Sequence, residues 1–598
     1  MATTRSYTKI LELLTPRERR NGLLVAGMMI GLAVLETMGV ASIMPFLAVL
    51  ANPDVVNENE ILAAVYTRSG LTSVDDFLFW LGVAAFLLVL TGSAFRTLTM
   101  YMIYRYTEMR RHSISSRLLE TYLRQPYIFF LDRHSGDLAK SILSEVDQLV
   151  VSVFRPLLSM IAYSVVALGI VLLLVVLDPL LALVVGVVIG GVYSLIFWLI
   201  RGKLTRIGKD RAVANGERFE TAGEALAGIK DIKVLGREHV YLERFASPSN
   251  RFARHQATRA TLAIVPKYTI EAIGFGGILG LALFLMATRS GLGEALPLLG
   301  LYAFAGYRLL PSAQQIYASL TQLRFGMPAV DLVVEDLRRR EHMSETIEHS
   351  KAPLKPKRHI KFEHVSFRYP GSEISSLNNI DLTLAVGTST GIVGTTGAGK
   401  TTLLDLLLGL LEPTDGQLYV DDQPVTGVKI RNWQRAIGYV PQKIYLNDTT
   451  IRANIAFGVQ EDEVDNRLVK RVAKMAQIHD FIMSLPEGYD TDIGERGVRL
   501  SGGQQQRIGI ARALYTAPSV IVFDEATSAL DHDTESGLME AITGLRGETT
   551  LVMVAHRITT VRACDQIVLL KDGRVHAIGD YEQLINNEVI FRRLAGVE

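Results

Sequence analysis

The chain has 598 residues, 49% of them hydrophobic, and a formal net charge of +1. Its mean hydropathy of +0.24 is high for a soluble protein, and its length allows about three or four domains of average size. The balanced charge gives no support to a nucleic-acid partner. The single cysteine, Cys564, excludes intrachain disulfides and cysteine-rich metal sites.

The first half contains long apolar segments that predict membrane spans. From Gly22 to Leu50 the only ionisable residue is Glu36, and a bilayer core takes about 20 apolar helical residues. The same test gives five more spans. We therefore expect a cytoplasmic segment over 1–21 and an all-α, six-helix transmembrane domain over 22–330, with long cytoplasmic helical extensions of the spans. The expected spans are 22–50, 77–104, 151–177, 179–200, 262–288 and 294–320.

Lysine and arginine are unevenly distributed between the connections. The tail before the first span carries five, the loop over 51–76 carries only Arg68, and the long connections after spans two and four are basic. Basic residues accumulate on the cytoplasmic side, so both termini are predicted to be cytoplasmic. Apolar pieces within these two connections, 125–130 and 219–226, predict docking sites; a self-packed helical hairpin is the alternative.

Ionisable residues inside spans are costly and are therefore candidates for function. Arg308 lies about fourteen residues into the last predicted span and is the first candidate for substrate contact. Arg96 and Lys267 follow, although a long side chain near the cytoplasmic end can also snorkel to the membrane surface. Glu36 and Glu271 complete the set.

The pattern changes at about residue 331. A charged helical end and a stretch rich in proline and basic residues predict a linker over 331–358. Residues 359–598 alternate apolar β-type runs with helical segments, which is typical of an α/β sheet with crossover helices. A second, soluble domain is therefore expected to follow the membrane domain.

A glycine-rich segment, G-T-T-G-A-G-K-T over 394–401, lies between a predicted strand and a predicted helix. This is the spacing of a phosphate-binding loop (P-loop), in which backbone N–H groups and a helix N-terminus surround phosphate. Lys400 would contact the β- and γ-phosphates, and the Thr401 hydroxyl would bind Mg²⁺. The nucleotide-binding residues predicted in this segment are Gly394, Thr395, Thr396, Gly397, Ala398, Gly399, Lys400, Thr401 and Thr402.

A second part of the site is predicted about 124 residues after Lys400. The apolar run over 520–524 indicates a buried strand that ends in Asp524. Asp524 suits a magnesium anchor that acts through water, and Glu525 suits a general base for the attacking water. A strand that ends in Asp-Glu is common, but it becomes specific when a phosphate-binding loop precedes it.

The segment L-S-G-G-Q-Q-Q-R over 500–507 resembles the signature motif of ATP-binding cassette (ABC) proteins. G-E-R-G over 494–497 precedes it, as in ABC exporters. Four single residues are similar to other family positions: Gln442 to the Q-loop glutamine, Asp531 to the D-loop aspartate, His556 to the switch histidine and Tyr369 to the aromatic residue that stacks on adenine.

The resemblance implies a complete hydrolytic set in an exporter architecture, with an α/β P-loop ATP-binding cassette over 359–598. Lys400, Glu525 and His556 would be catalytic, with ATP and Mg²⁺ as cofactors. Thr401, Gln442 and Asp524 would serve the magnesium ion. The further nucleotide contacts that the resemblance implies are Tyr369, Gln442, Ser501, Gly502, Gly503, Gln504, Asp524 and Asp531.

The resemblance also implies a partner, because the family places the signature far from the phosphate loop of its own chain. Two chains would meet head to tail, and a homodimer would have two competent sites. Closure of the cassettes on ATP would reach the membrane through coupling helices near Tyr127 and Ala222. Hydrolysis would then release the closed state.

The substrate is indicated by a closer resemblance. E-T-M-G-V-A-S-I-M-P-F over 36–46 looks like the first span of bacterial lipid-linked oligosaccharide flippases, and 229–238 and 444–448 also resemble that group. This implies a polyprenyl-pyrophosphate glycan, carried across a bacterial inner membrane, whose head needs cationic partners. No sugar motif is found.

Two alternatives remain open. One is a general exporter of drugs, lipids or peptides with the same ATPase, and the other is an ATP-gated channel or regulatory subunit that transports nothing. Six spans exclude a soluble ATPase of DNA repair or translation, so the expected partners are the bilayer and an amphipathic substrate, with no nucleic acid.

Overall fold

The computed structural model describes residues 8–71, 73–131, 133, 135–177, 179–288, 292–338, 352–494, 497–525, 549–555 and 557–597. The chain forms two compact units. The helical unit comprises Met1–Gln125 and Asp132–Met343, and the sheet unit comprises Pro126–Leu131 and Ser344–Glu598. Thus a short segment of the connection after the second predicted span belongs to the sheet unit, although the sequence places it within the transmembrane domain.

The first long helix of the helical unit begins with a capping box and an N-terminal proline. The Thr15 backbone N–H donates to Glu18, the Glu18 N–H donates to the Thr15 hydroxyl, and Pro16 opens the helix. The helices are α1 (Pro16–Ala41), α2 (Ile43–Ala51), α3 (Val55–Glu58), α4 (Glu60–Ser69), α5 (Val74–Leu123), α6 (Ile128–Leu131, in the sheet unit), α7 (Ser135–Ala139), α8 (Val146–Leu149), α9 (Arg155–Leu177), α10 (Pro179–Ala227), α11 (Ile229–Leu235), α12 (Glu238–Thr288) and α13 (Leu292–Arg338), with π-helical turns at Lys140–Glu145 and Val150–Phe154.

Within the part of the chain that the structure describes, three helical stretches are long and apolar enough to cross a bilayer: Pro16–Ala51, Val74–Leu123 and Gly136–Leu177. The other three predicted spans fall within α10, α12 and α13. Parts of these helices lie outside the described side chains, so the count of six remains a prediction. At 1.5 Å per residue, α5 with its 50 residues is about 75 Å long, against about 30 Å of hydrocarbon. This helix is therefore much longer than the thickness of a bilayer core.

The sheet unit contains two sheets. Its strands are β1 (His359–Phe367), β2 (Leu377–Ala385), β3 (Ser389–Gly394), β4 (Asp415–Val420), β5 (Gln423–Pro424), β6 (Ile437–Val440), β7 (Val520–Asp524), β8 (Thr550–Val554), β9 (Gln566–Lys571) and β10 (Arg574–Gly579). One sheet has the order β2-β1-β4-β5 and is antiparallel; the other has the order β10-β9-β3-β8-β7-β6, with all neighbours parallel except β10 and β9.

Helices cover the parallel sheet, as its continuous apolar strands require. Besides α6, the described helices of the sheet unit are α14 (Lys400–Leu407), α15 (Val428–Gln434), α16 (Ile451–Ile455), α17 (Asn466–Met475), α18 (His479–Ser484), α19 (Gly502–Tyr515), α20 (Ile558–Val561), α21 (Tyr581–Asn587) and α22 (Val589–Ala595), with 3₁₀ turns at Glu461–Glu463 and Gly488–Asp490.

One core of the sheet unit joins α14 to both sheets. Trp433 is fully buried there, and its indole N–H donates to the carbonyl oxygen of Leu407 at 2.6 Å. Ile128, from the segment Pro126–Leu131, packs against the same core. This apolar contact explains why the segment belongs to the sheet unit.

Candidate nucleotide site and charged cluster

Four parallel strands end at one edge of the larger sheet and bring predicted site residues together. β3, β8, β7 and β6 are neighbours in that order, with Ile392 opposite Val554 and Val554 opposite Asp524. Ligands of parallel sheets bind outside the carboxyl ends of the strands. The phosphate loop follows β3, Glu525 follows β7, and Gln442 lies two residues after β6.

The phosphate loop has the backbone that its glycines allow. Gly397 and Gly399 have φ values of 81° and 96°, in the left-handed region that side chains disfavour. A Cβ on Gly399 would lie 2.7 Å from Cδ2 of Leu377 and 2.9 Å from the carbonyl oxygen of Ser376. Any side chain at Gly399 would therefore push the loop away from its neighbours.

Lys400 is the first residue of α14 and is only 7% exposed. Its Nζ donates to the carbonyl oxygen of Gly394 at 2.7 Å and of Thr395 at 3.2 Å. Burial lowers the pKa of Lys400, and the negative charge of Glu525 acts in the opposite direction. The loop's own carbonyls thus hold the ammonium group beside the backbone that would surround phosphate.

Glu525 is held from two sides. Its φ of 52° is left-handed, a strained conformation for a non-glycine residue that is common at functional sites. Its backbone N–H donates to the carbonyl oxygen of Val554 at 3.0 Å, and Nε2 of Gln442 donates to its Oε2 at 2.6 Å. The carboxylate is therefore oriented by the residue that the sequence assigns to the Q-loop.

Asp524 lies among tyrosines and a second carboxylate. The Tyr439 hydroxyl donates to Oδ2 of Asp524 at 3.4 Å, and burial, with the charges of Asp524 and Asp405, raises the pKa of Tyr439. Burial also raises the pKa of Asp405 to about 6, and the charge of Asp524 adds to this effect. Burial, followed by the charge of Asp405, raises the pKa of Tyr127 in the segment Pro126–Leu131. The edge of the sheet is thus rich in negative charge.

Tyr369 lies against the first turn of α14. Its hydroxyl shares a hydrogen bond with the Thr402 hydroxyl at 3.3 Å, and its ring packs edge-on against Phe367 at 4.9 Å. The ring is therefore fixed beside the phosphate loop, which is compatible with the predicted adenine contact.

A cavity of about 660 Å³ opens at this edge of the sheet. Residues 396–402 and Glu525 line it, and so does a serine-rich segment that the sequence analysis did not single out, with Ser372, Ser375 and Ser376. The cluster of serines just after Tyr369 was the available signal. Asp572 and Gly573, which also line the cavity, carry no local signal because they come from the turn between β9 and β10.

The cavity suits a magnesium ion whose remaining ligands are water and the substrate phosphate. Among the described residues, no group of three or more His, Cys, Asp or Glu side chains could hold a metal. Mg²⁺ typically binds through one or two protein oxygens and completes its shell with water and substrate phosphate. The Thr401 hydroxyl at the cavity wall and the carboxylate of Asp524 at the end of β7 provide oxygens of that type.

The signature segment forms a helix start of its own. Ser501 caps α19, its backbone N–H donates to Gln504 Oε1 at 2.8 Å, and the Gln504 N–H donates to the Ser501 hydroxyl at 3.3 Å. Ser501 and Gly502 are exposed. Among the described residues that line the phosphate-loop cavity, none falls within 501–504.

Asp531, His556 and the pair at 495–496 lie outside the described residues, so their predicted roles remain predictions.

The helical unit contains a cluster of charged side chains around a buried carboxylate. The sequence identifies these residues as ionisable groups within predicted spans, but it does not show that they contact one another. Glu36 of α1 is 3% exposed; Nη2 of Arg96 lies 2.8 Å from its Oε1 and Nη1 of Arg308 lies 3.1 Å from its Oε2. Two guanidinium groups from α5 and α13 therefore share one carboxylate. The buried Nε–H of Arg96 finds no acceptor among the described residues. We call these three residues the charged cluster.

Lys267, the third basic candidate, lies elsewhere on the helical unit. It is partly exposed, and its Nζ lies 3.6 Å from Glu271 one turn further along α12.

Comparisons with known proteins agree with the two-part organisation. The model of the ABC transporter transmembrane region matches residues 32–293, and the ABC transporter model matches residues 377–528. An ATP-dependent lipid A-core flippase of Nitrosococcus oceani is 30% identical over 471 residues, which cover 78% of this chain and 77% of that protein.

Two further similarities differ in extent. The uncharacterized ABC transporter ATP-binding protein YfiB of Bacillus subtilis is 42% identical over 235 residues, so this chain matches only 40% of that relative's length and 39% of its own. The structure of a bacterial Atm1-family ABC exporter with ATP bound superimposes with a TM-score of 0.78 at 24% identity, covering 95% of this chain and 98% of that one. At that identity the match establishes the fold alone.

Proposed function

Because this chain belongs to the ABC transporter family, we propose that it is an ATP-driven flippase for an amphipathic lipid that carries phosphate. It combines the exporter's transmembrane region and ATP-binding domain in one chain, and ATP hydrolysis is coupled to transport. The substrate that we propose is a polyprenyl-pyrophosphate glycan. The observation that carries this proposal is the charged cluster.

The hydrolytic step that we propose uses the edge of the sheet. The N–H groups of the loop over 394–401 and Lys400 bind the phosphates, and Glu525, oriented by Gln442, accepts the proton of the attacking water. Thr401 and Asp524 would hold a magnesium ion, which neutralises phosphate charge when bound. Tyr369 would stack on adenine, and His556 and Asp531 would complete the set.

A head-to-tail homodimer would complete this site. Ser501, Gly502, Gly503 and Gln504 lie away from the cavity wall of their own chain, and a helix N-terminus of this kind suits phosphate. We propose that they contact the nucleotide of the partner subunit. ATP would then favour the closed pair, and loss of the γ-phosphate would release it.

Coupling to the membrane would use the segment Pro126–Leu131. Ile128 packs on the core that contains α14, and Tyr127 lies close enough to Asp405 for its charge to act. A movement of the phosphate loop's helix would therefore reach this connection directly. The second predicted tip, near Ala222, belongs to the helical unit, and its coupling role stays a proposal.

The charged cluster supports an anionic substrate. Two partly buried guanidinium groups against one buried carboxylate leave one positive charge without a counterion among the described residues, and a charge inside a membrane helix is costly unless it is used. Pyrophosphate would bind such a charge strongly. The relative named as a lipid A-core flippase supports a lipid substrate in general. We place the protein in a bacterial inner membrane, with both termini and the sheet unit in the cytoplasm.

The test is transport in proteoliposomes. We expect polyprenyl-pyrophosphate glycans to stimulate ATPase activity and to be flipped, and Arg308→Ala to abolish flipping while basal ATPase activity stays intact. Hydrophobic drugs that stimulate the wild type, with no response to the pyrophosphate lipid, would instead indicate a general exporter. Arg308→Ala protein that flips normally would make Arg308 a structural residue.

A further inference from the structure

The helical unit contains a second concentration of positive charge, outside the charged cluster. A cavity of about 880 Å³ is lined by residues of α10 and by His255 of α12. Lys203, Arg206 and Lys209 line it at intervals of three residues, and all three are exposed. Among the described residues none of the three forms a hydrogen bond or an ion pair through its side chain. We call this the basic cavity.

The carboxylate of Asp210, which also lines the basic cavity, is already engaged. Asp210 Oδ1 accepts from Arg251 Nη2 at 2.6 Å, and its Oδ2 lies 2.5 Å from Nε2 of His255. Arg251 also contacts Glu217 at 3.0 Å, so these groups form a network on their own. The network leaves the three cations on α10 without a counterion among the residues that the structure describes. Like charges spaced three residues apart on a helix repel one another, and a bound anion would relieve that repulsion.

The basic cavity lies just beyond the predicted end of the fourth span on α10. The fourth predicted span ends at about Ile200, so Lys203 and Arg206 follow its end by about 5 and 9 Å along the helix axis. A headgroup layer occupies about 5–8 Å on each side of the hydrocarbon. Cα–Cβ bonds tilt toward the N-terminus of a helix, which for α10 is toward the membrane. The exposed Trp198, close to the predicted end of the span, suits the membrane interface.

We propose that the basic cavity binds the phosphate headgroup of a lipid from the cytoplasmic leaflet. Basic pockets between helices at this level recognise anionic headgroups, with the acyl or prenyl chain remaining in the bilayer. The proposal goes beyond the proposed function, since binding needs neither ATP nor transport. Two lipid sources share this chemistry, a bulk anionic phospholipid and a prenyl pyrophosphate.

The experiment measures binding by titration calorimetry to the purified full-length protein, with saturating ADP so that the phosphate loop is occupied. The probes are dihexanoyl phosphatidic acid, farnesyl pyrophosphate and inorganic pyrophosphate. Each basic residue near an anionic headgroup contributes about fivefold, so we expect K203Q/R206Q/K209Q to lose about a hundredfold in affinity for a lipid probe. Arg206→Gln alone, the milder variant, should lose about fivefold.

The control is K470Q/R471Q/K474Q, which removes the same charge from the exposed face of α17 and should bind as the wild type does. Basal ATPase activity should be unchanged in every variant, which also reports folding.

Stronger binding of farnesyl pyrophosphate than of phosphatidic acid would identify a loading site for the proposed substrate. Equal binding of the two lipids would identify a general headgroup site. Two results would overturn the proposal: wild-type lipid affinity in the triple variant, or inorganic pyrophosphate that binds as tightly as the lipids. A flippase without this site would still flip its substrate, so the two proposals fail separately.

Discussion

The nucleotide site and the charged cluster have opposite charge imbalances. At the edge of the sheet, Asp405, Asp524 and Glu525 outnumber Lys400, and the pKa of Asp405 is raised to about 6. In the helical unit, Arg96 and Arg308 outnumber Glu36. An excess of carboxylates suits a divalent cation, and an excess of guanidinium groups suits phosphate. Each imbalance therefore indicates the ligand that would neutralise it.

The largest expected effect comes from Glu525→Gln, which removes the base but keeps the side chain's shape. Positioned general bases contribute about 10²–10⁴-fold to the rate, so turnover should fall by at least about a hundredfold while ATP remains bound in a closed dimer. ATPase activity and nucleotide retention by gel filtration measure the two effects. Glu461→Gln, at an exposed acid of the sheet unit, is the matched control and should be fully active. Normal turnover in Glu525→Gln would transfer the role of base to another residue.

The next effect is expected from Glu36→Gln. This change leaves the partly buried guanidinium groups of Arg96 and Arg308 without the carboxylate of Glu36, and breaking a buried ion pair costs up to about 3–5 kcal/mol. The variant should unfold at a clearly lower temperature, measured by intrinsic fluorescence in detergent. Arg308→Ala should lower the free energy of unfolding by less, because Glu36 keeps its ion pair with Arg96.

The control for that prediction is Glu271→Gln, which breaks the exposed pair with Lys267 and should cost about 1 kcal/mol or less. Equal stability of Glu36→Gln and Glu271→Gln would contradict a buried cluster. The charged cluster could then no longer be contrasted with the nucleotide site as a site with an excess of positive charge.

The two sites also differ in how far the sequence predicts them. The phosphate loop, Lys400 and Thr401 are consecutive, and the strand before Glu525 is recognisable from its apolar run, so chain-local rules place them. The charged cluster joins three helices at positions 36, 96 and 308, and only the tertiary packing pairs them. The same reason hid the contact of Ile128 with the core of the sheet unit. Sequence spacing also could not show that Arg251 and His255 bind the carboxylate of Asp210. From the sequence alone, the basic residues of α10 therefore served only to predict the orientation of the chain in the membrane.

The smallest expected effect concerns Asp405, and it tests whether the edge of the sheet really carries excess negative charge. In the unfolded chain this carboxyl loses its proton near pH 3.8, whereas in the folded protein its pKa is about 6, because burial and the charge of Asp524 disfavour ionisation. Between these values the folded state holds a proton that the unfolded state has released. The contribution of Asp405 to the free energy of unfolding is therefore most favourable at low pH. It declines as the pH rises toward 6 and stays at the lower level above that. Asp405→Asn should remove the decline and stabilise the protein near neutral pH by about 1 kcal/mol or less, since the side chain is only partly buried.

The measurement for Asp405→Asn is the melting temperature from pH 5 to pH 8, with Asp421→Asn as the matched control. Burial opposes ionisation of Asp421, but backbone N–H groups of Arg358, His359 and Lys357 donate to it and lower its pKa, so its ion stabilises the fold and Asn should destabilise it throughout this range. The advantage of Asp405→Asn over the wild type should instead grow from pH 5 to about pH 7 and then level off. An advantage that does not vary with pH would mean that neither burial nor the charge of Asp524 raises the pKa of Asp405. A bound magnesium–nucleotide complex should reduce the advantage, because the cation would neutralise the charge that opposes Asp405.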